Sequence, residues 1–248
     1  MISINQHGPA RRTFEEDDEE EQAIQFIHPV GQLNLTIDGE VSEVCTVLHA
    51  FGLSVSPFAQ SIISSLDMQQ VGNVQMMSGG QKLSTIYYSN AHKTMLAVSV
   101  NIPSQLSFTF ADLFSRFDLK TCVILGELNL STYHGSGTEG ELRKICSSSY
   151  LSSSNNNMDN VPLLETGIIV PGISAGLLNY AEARNISAVL FLTLSRASLT
   201  TPSMRAFEKL ATLLQSLTEG SITLPTSTIY NNMLKRDPYL LKTENMYS

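Results

Sequence analysis

Gly172-Ile173-Ser174-Ala175-Gly176 has the G-x-S-x-G spacing of a nucleophile elbow, in which a serine on a sharp turn attacks an acyl carbon. That chemistry needs a base. In the α/β-hydrolase order the histidine follows the serine, yet His7, His28, His49, His92 and His134 all precede Ser174. Other triads take their base from upstream, so a serine hydrolase using Ser174 stays open as an alternative. The same small residues also have a packing use, since glycines let the turn tighten and the helix approach its neighbours. Ser78-Gly79-Gly80-Gln81-Lys82 pairs glycines with a lysine but lacks the phosphate-loop spacing and reads as a turn. The histidines and Cys45, Cys122 and Cys146 have no metal-ligand spacing. Glu165, Glu182 and Glu208 are scattered, with no visible carboxylate pair. The expectation is no catalytic residue, no cofactor and no metal. One further group has binding chemistry. Met246-Tyr247-Ser248 ends the sequence as an apolar residue, a tyrosine and one more residue with the terminal carboxylate. Such a tail can plug a pocket with its side chains while a cation or backbone amides hold the carboxylate.

The elements that must position these residues are legible from periodicity. Residues 32–37 alternate as a half-buried strand, and 44–48 form a denser run suited to a central strand. Pro57 suits a first helical turn, followed by apolar residues at helical spacing to Leu66. Residues 83–88 and 94–100 are β-rich, with a hairpin-length loop between them. Residues 108–117 read as a helix and 121–126 as a buried strand. Residues 131–160 are rich in Ser, Asn and Gly and read as a mobile insertion around a short helix at 142–145. Pro171-Gly172 turns into a helix over 173–184, with Asn185 at its C-terminal cap. A central strand at 188–192, a helix over 201–217 and a last helix over 227–236 complete the pattern. Strands alternating with helices predict an α/β sandwich with a largely parallel sheet.

Composition narrows the function classes. The 248 residues carry a net charge of -8, against nucleic-acid binding, which needs a basic stripe. Seven of the 23 acids form the run Glu15 to Glu21, and without it 16 acids face 15 bases. A like-charge run repels itself and stays solvated. The expected organisation is a disordered acidic segment over 1–28, one α/β domain over 29–236 and a flexible tail over 237–248. The first residues lack a signal-peptide core, and no stretch reaches 18 apolar residues, so no membrane span is expected. An odd number of cysteines without C-x-x-C fits buried free thiols at Cys45 and Cys122 in a reducing compartment.

Pro171-Gly172-Ile173-Ser174-Ala175-Gly176-Leu177-Leu178, then Ala181, then Ile186-Ser187-Ala188-Val189-Leu190, resembles the core of the proteasome assembly chaperone family. Pro162-Leu163-Leu164-Glu165 upstream, and Ser227-Thr228-Ile229-Tyr230, Lys235-Arg236 and Met246-Tyr247-Ser248 downstream, extend the likeness over about residues 161–248. The acidic run is similar in kind, and the middle of the chain departs from the family pattern. The resemblance implies a Rossmann-like three-layer domain without catalysis. It implies a heterodimer with proteasome assembly chaperone 2, seated on the α-ring of the forming 20S core in the cytoplasm and nucleus. It also implies that Met246, Tyr247 and Ser248 form an apolar-Tyr-x (HbYX) motif that binds a pocket between α-subunits and blocks premature activator binding. The partner chaperone of the same family is a second reading. A nucleotide-binding enzyme is a third, suggested by fold class alone.

Overall fold

Alternating apolar side chains along the strands give this chain two cores, one on each face of a single sheet. The computed structural model describes residues 33–51, 56–99, 102–138, 140–152, 160–170, 172–195, 204–217 and 227. Eight strands are described: β1 (Leu33–Ile37), β2 (Thr46–Phe51), β3 (Gln69–Met76), β4 (Lys82–Ser89), β5 (Thr94–Ser99), β6 (Thr121–Asn129), β7 (Leu142–Cys146) and β8 (Ser187–Ser195). Five helices accompany them: α1 (Ser56–Ser65), α2 (Ser107–Asp112), α3 (Ser148–Ser152), α4 (Ile173–Ala183) and α5 (Met204–Leu217). Short 3-10 turns flank α2 on both sides.

The strands run in the order β1-β3-β4-β5-β2-β6-β8-β7. Three pairings are parallel, β5-β2, β2-β6 and β6-β8, and they form the middle of the sheet. The other four, β1-β3, β3-β4, β4-β5 and β7-β8, are antiparallel. The sheet is therefore mixed, which corrects the expectation of a largely parallel one. The reason lies in the connections. Parallel neighbours need a crossover, which α2 and α4 provide, whereas β3, β4 and β5 are joined by short turns that force reversal.

Successive side chains of a strand point to opposite faces. Val47, Cys122, Ile124, Ala188 and Leu190 face one core, where α2 contributes Phe110, the 3-10 turn after it Phe114, and α4 Ile173 and Leu177. Leu48, Val123, Leu125, Val189 and Phe191 face the other, covered by Phe58 and Ile62 of α1 and Leu210 and Leu214 of α5. The architecture is three-layered, α/β/α, as the family resemblance implies.

Asn185 closes α4 in the left-handed region, at φ 55, with its N–H donating to the Glu182 carbonyl at 3.2 Å. Residues 142–145, read as a short helix inside a mobile insertion, instead belong to β7 and pair antiparallel with β8. α3 follows directly, tied back by Ser147, whose Oγ accepts the Ala188 N–H at 2.8 Å and donates to the Ile186 carbonyl at 3.1 Å. The outer edge of β7 is partly covered, because Lys144 exchanges backbone hydrogen bonds with Pro162 and Leu164. The acidic run, the helix expected at 227–236 (apart from Ser227) and the tail over 237–248 lie outside the described residues. No described helix is long and apolar enough to cross a membrane.

Candidate functional site

The G-x-S-x-G segment folds as a packing device. Gly172 caps α4 at φ 78 and ψ -152, a conformation that a side chain would strain. Ser174 is buried at 4% exposure. Its hydroxyl lies against the sheet, since a Cβ built on Gly126 of β6 would meet the Ser174 Oγ at 3.0 Å. Gly176 is the contact point between helices, where an added Cβ would come 2.6 Å from the Ser107 Cβ of α2. A nucleophile must be open to its substrate and bonded to a base. Among the described residues, no hydrogen bond joins Ser174 to a histidine or a carboxylate.

Among the described histidines, His49 is the fully buried one, and it bonds away from Ser174. His49 of β2 bonds the Ser99 Oγ of β5 through Nε2 at 3.1 Å, and its Nδ1 has no partner among the described residues. Phe51 stacks near its ring and Phe110 meets it edge-on, with centroids 6.3 and 5.4 Å away. Burial without a counter-charge pushes its pKa down to about 3, so the ring is neutral at pH 7. Burial likewise pushes the Cys122 thiol up to about 12 and leaves it unreactive.

One polar cluster went unseen in the sequence. Arg143 of β7 is 5% exposed, and its guanidinium gathers two carboxylates. Its Nη1 donates to Glu141 Oε2 at 3.1 Å and its Nε to Glu165 Oε1 at 3.3 Å. The Tyr133 hydroxyl accepts from the same Nε at 3.2 Å and donates to Glu165 Oε1 at 2.6 Å. The Tyr133 bond is the main cause holding the Glu165 carboxyl down to about 2, with the Arg143 charge adding to it. Burial, reinforced by its bond to Glu165, raises the Tyr133 phenol. The cluster joins the β6–β7 connection to the segment that leads into α4, and it absorbs Glu165, which the sequence left scattered. The signal in the sequence was slight, an arginine next to a lysine between apolar residues in Leu142–Cys146.

Large apolar side chains are exposed elsewhere on the surface: Leu163 and Ile169 at 59% and 83%, and Phe108 of α2 at 66%. A cavity of about 500 Å³ opens between Leu142, Val161, Pro162 and the Lys209 and Leu213 turns of α5. Among the described residues, no group of three or more His, Cys, Asp or Glu side chains is arranged to hold a metal. Met246, Tyr247 and Ser248 lie outside the described residues.

Neither a family model nor a curated protein matches the chain by sequence. Solved structures match it by shape. An archaeal homolog of proteasome-assembly chaperone, PbaA of Pyrococcus furiosus, superposes with a TM-score of 0.65 at 16% identity, over 87% of this chain and 93% of that one. PbaB of the same organism, described as an archaeal proteasome activator, gives 0.63 at 11% identity over 86% and 99%. A protein of unknown function from Thermoplasma acidophilum gives 0.62 at 17% identity over 100% and 96%. At these identities the likeness establishes a shared fold.

Proposed function

We propose that this chain is a non-catalytic chaperone of 20S proteasome assembly that resembles proteasome assembly chaperone 1. One observation carries the reading: the fold matches an archaeal homolog of proteasome-assembly chaperone over nearly the full length of both chains. The sequence resemblance over residues 161–248 points independently to the same family. On this reading the chain pairs with proteasome assembly chaperone 2 and sits on the α-ring, in the cytoplasm and nucleus. Met246, Tyr247 and Ser248 reach a pocket between α-subunits and keep activators off the immature particle. The hydrolase alternative is disfavoured by the burial of Ser174 against Gly126. Because folds host many functions, the chaperone reading also draws on the sequence resemblance over residues 161–248.

Co-expression tests this reading. The full chain, a paralogous chaperone chain and the proteasome α-subunits are produced together and resolved by size-exclusion chromatography. Co-elution of the chain with both the paralogue and α-subunits is expected. A well-folded chain that elutes apart from α-subunits, with or without the paralogue, would overturn the proposal.

A further inference from the structure

Ser136 sits where one added charge would act on the whole Arg143 cluster. Its side chain is exposed. Its Oγ donates to Glu165 Oε1 at 3.2 Å, and its backbone N–H points at the same oxygen at 3.4 Å. Glu165 Oε1 thus collects Ser136, Tyr133 and Arg143, while Glu165 Oε2 is buried without a partner among the described residues. Two residues on, Thr138 Oγ1 donates to Glu141 Oε1 at 2.8 Å, and Glu141 holds the other side of Arg143. The guanidinium lies directly under this loop, because a Cβ built on Gly137 would come 2.7 Å from the Arg143 Nη2. One guanidinium therefore already serves two carboxylates. These bonds latch the loop over 133–141 to the segment over 163–168, which bears exposed Leu163 and runs on to Ile169.

The sequence around Ser136 selects one kind of modifying enzyme. Ser136-Gly137-Thr138-Glu139-Gly140-Glu141 places acids three and five positions after the serine. The ten residues before it hold no lysine or arginine, and glycine rather than proline follows. Such a segment complements a kinase whose substrate cleft is basic, and it offers nothing to basic-directed or proline-directed kinases.

We propose that Ser136 is a phosphorylation site for an acidic-directed serine/threonine kinase, and that the phosphate releases the 163–168 segment. This inference is independent of the proteasome reading. The γ-phosphoryl group of ATP passes to Ser136 Oγ. The Pγ–O bond to ADP breaks, the new P–O bond forms, and the hydroxyl proton leaves to the kinase base. A donor thereby becomes a group with about -1.5 to -2 charges and acceptor oxygens only. Glu165 loses the Ser136 bond and gains a repulsive neighbour, while the phosphate competes with it for Arg143. The link across the latch weakens, and the segment bearing Leu163 opens more often.

The full chain is treated with ATP and an acidic-directed kinase, the modified residue is identified by mass spectrometry, and amide hydrogen exchange is followed. Phosphate on Ser136 is expected, with exchange at Leu164 and Ile168 at least tenfold faster and exchange in α4 and β8 unchanged. Ser136→Ala should take no phosphate there and exchange within about threefold of the untreated chain. Three results would each overturn the proposal. Ser136 could stay unmodified while the kinase phosphorylates an acidic control peptide. Phosphorylated Ser136 could leave exchange over 163–168 unaltered. Ser136→Ala could reproduce the full acceleration, which would make the hydroxyl, and not the charge, the latch.

Discussion

Ser174 and Gly176 share a motif but differ in what a methyl group does to them. Ser174→Ala removes a hydroxyl that rests on Gly126 and keeps the small volume. Stability should change by less than about 1.5 kcal/mol, the ordinary range for one hydrogen-bonding group. Co-purification with α-subunits should be unaltered, and a folded Ser174→Ala protein that no longer binds them would return the hydrolase reading. At Gly176 the new Cβ meets the Ser107 side chain at 2.6 Å and its backbone at 3.2 Å, so α2 and α4 must separate. Alanine is the better helix former by about 1 kcal/mol, but overpacking of this kind costs ~1–3 kcal/mol. Gly176→Ala should therefore come out neutral to destabilising by ~2 kcal/mol in urea melts, and a stabilised protein would show that the helices are not in close contact.

Among the elements, β7 is tied through Arg143 to the β6–β7 connection and to the segment bearing Glu165. Arg143→Met keeps length and apolar stem but strips Glu141 and Glu165 of their shared cation. Breaking a buried pair costs ~3–5 kcal/mol. Here the carboxylates are 42% and 33% exposed and regain water, so about 1–3 kcal/mol is expected in thermal melts, with faster exchange over 142–146. The tail proposed for Met246 to Ser248 is tested at the same scale. Tyr247→Ala, or one residue added after Ser248, should weaken α-ring binding about tenfold, equivalent to 1.4 kcal/mol. Pairing with the paralogous chaperone should persist. Equal α-ring affinity for the extended chain would remove the plug from the proposal, because the addition moves only the carboxylate.

Among the described residues, the acid response follows from groups whose pH windows overlap only in part. The His49 pKa lies at about 3 in the folded chain, below its ordinary 6.5. Between those values the unfolded chain takes a proton that the folded chain refuses. Stability therefore falls as pH drops from 6.5 toward 3, by up to about 1.4 kcal/mol per pH unit from this residue. Glu165 works lower down. Its carboxyl is held at about 2, against an ordinary 4.5, so its contribution is complete above 4.5 and is lost as pH falls toward 2. Glu43, lowered by Lys93, and Glu182, lowered by Ser148, join it below 4.5. The window from 6.5 to 4.5 belongs to His49. His49→Gln, which keeps an amide for Ser99 and does not titrate there, should flatten denaturant midpoints across that window. An unchanged slope would place the titrating group elsewhere.

Periodicity settled which segments could bury one face or two, because it depends only on local order along the chain. It identified β1, β2, β4, β5, β6 and β8, as well as α1, α2, α4 and α5, within a few residues, and it located the small-residue contact at Gly172 to Gly176. It passed over β3, whose QQVGNVQM pattern is polar because the strand lies near a sheet edge. It misread β7, since five residues with two basic side chains offer no period to count. The Ser-rich stretch read as low complexity, yet Ser147 anchors α3 to β8 and the Ser148 hydroxyl donates to Glu182 at 2.6 Å. Strand direction was likewise beyond local pattern, because parallel and antiparallel neighbours bury the same alternating residues and differ only in the route the chain takes between them. Arg143 needed tertiary structure most of all: its burial is tolerable only because Tyr133 and Glu165, ten and 22 positions away, meet it in space.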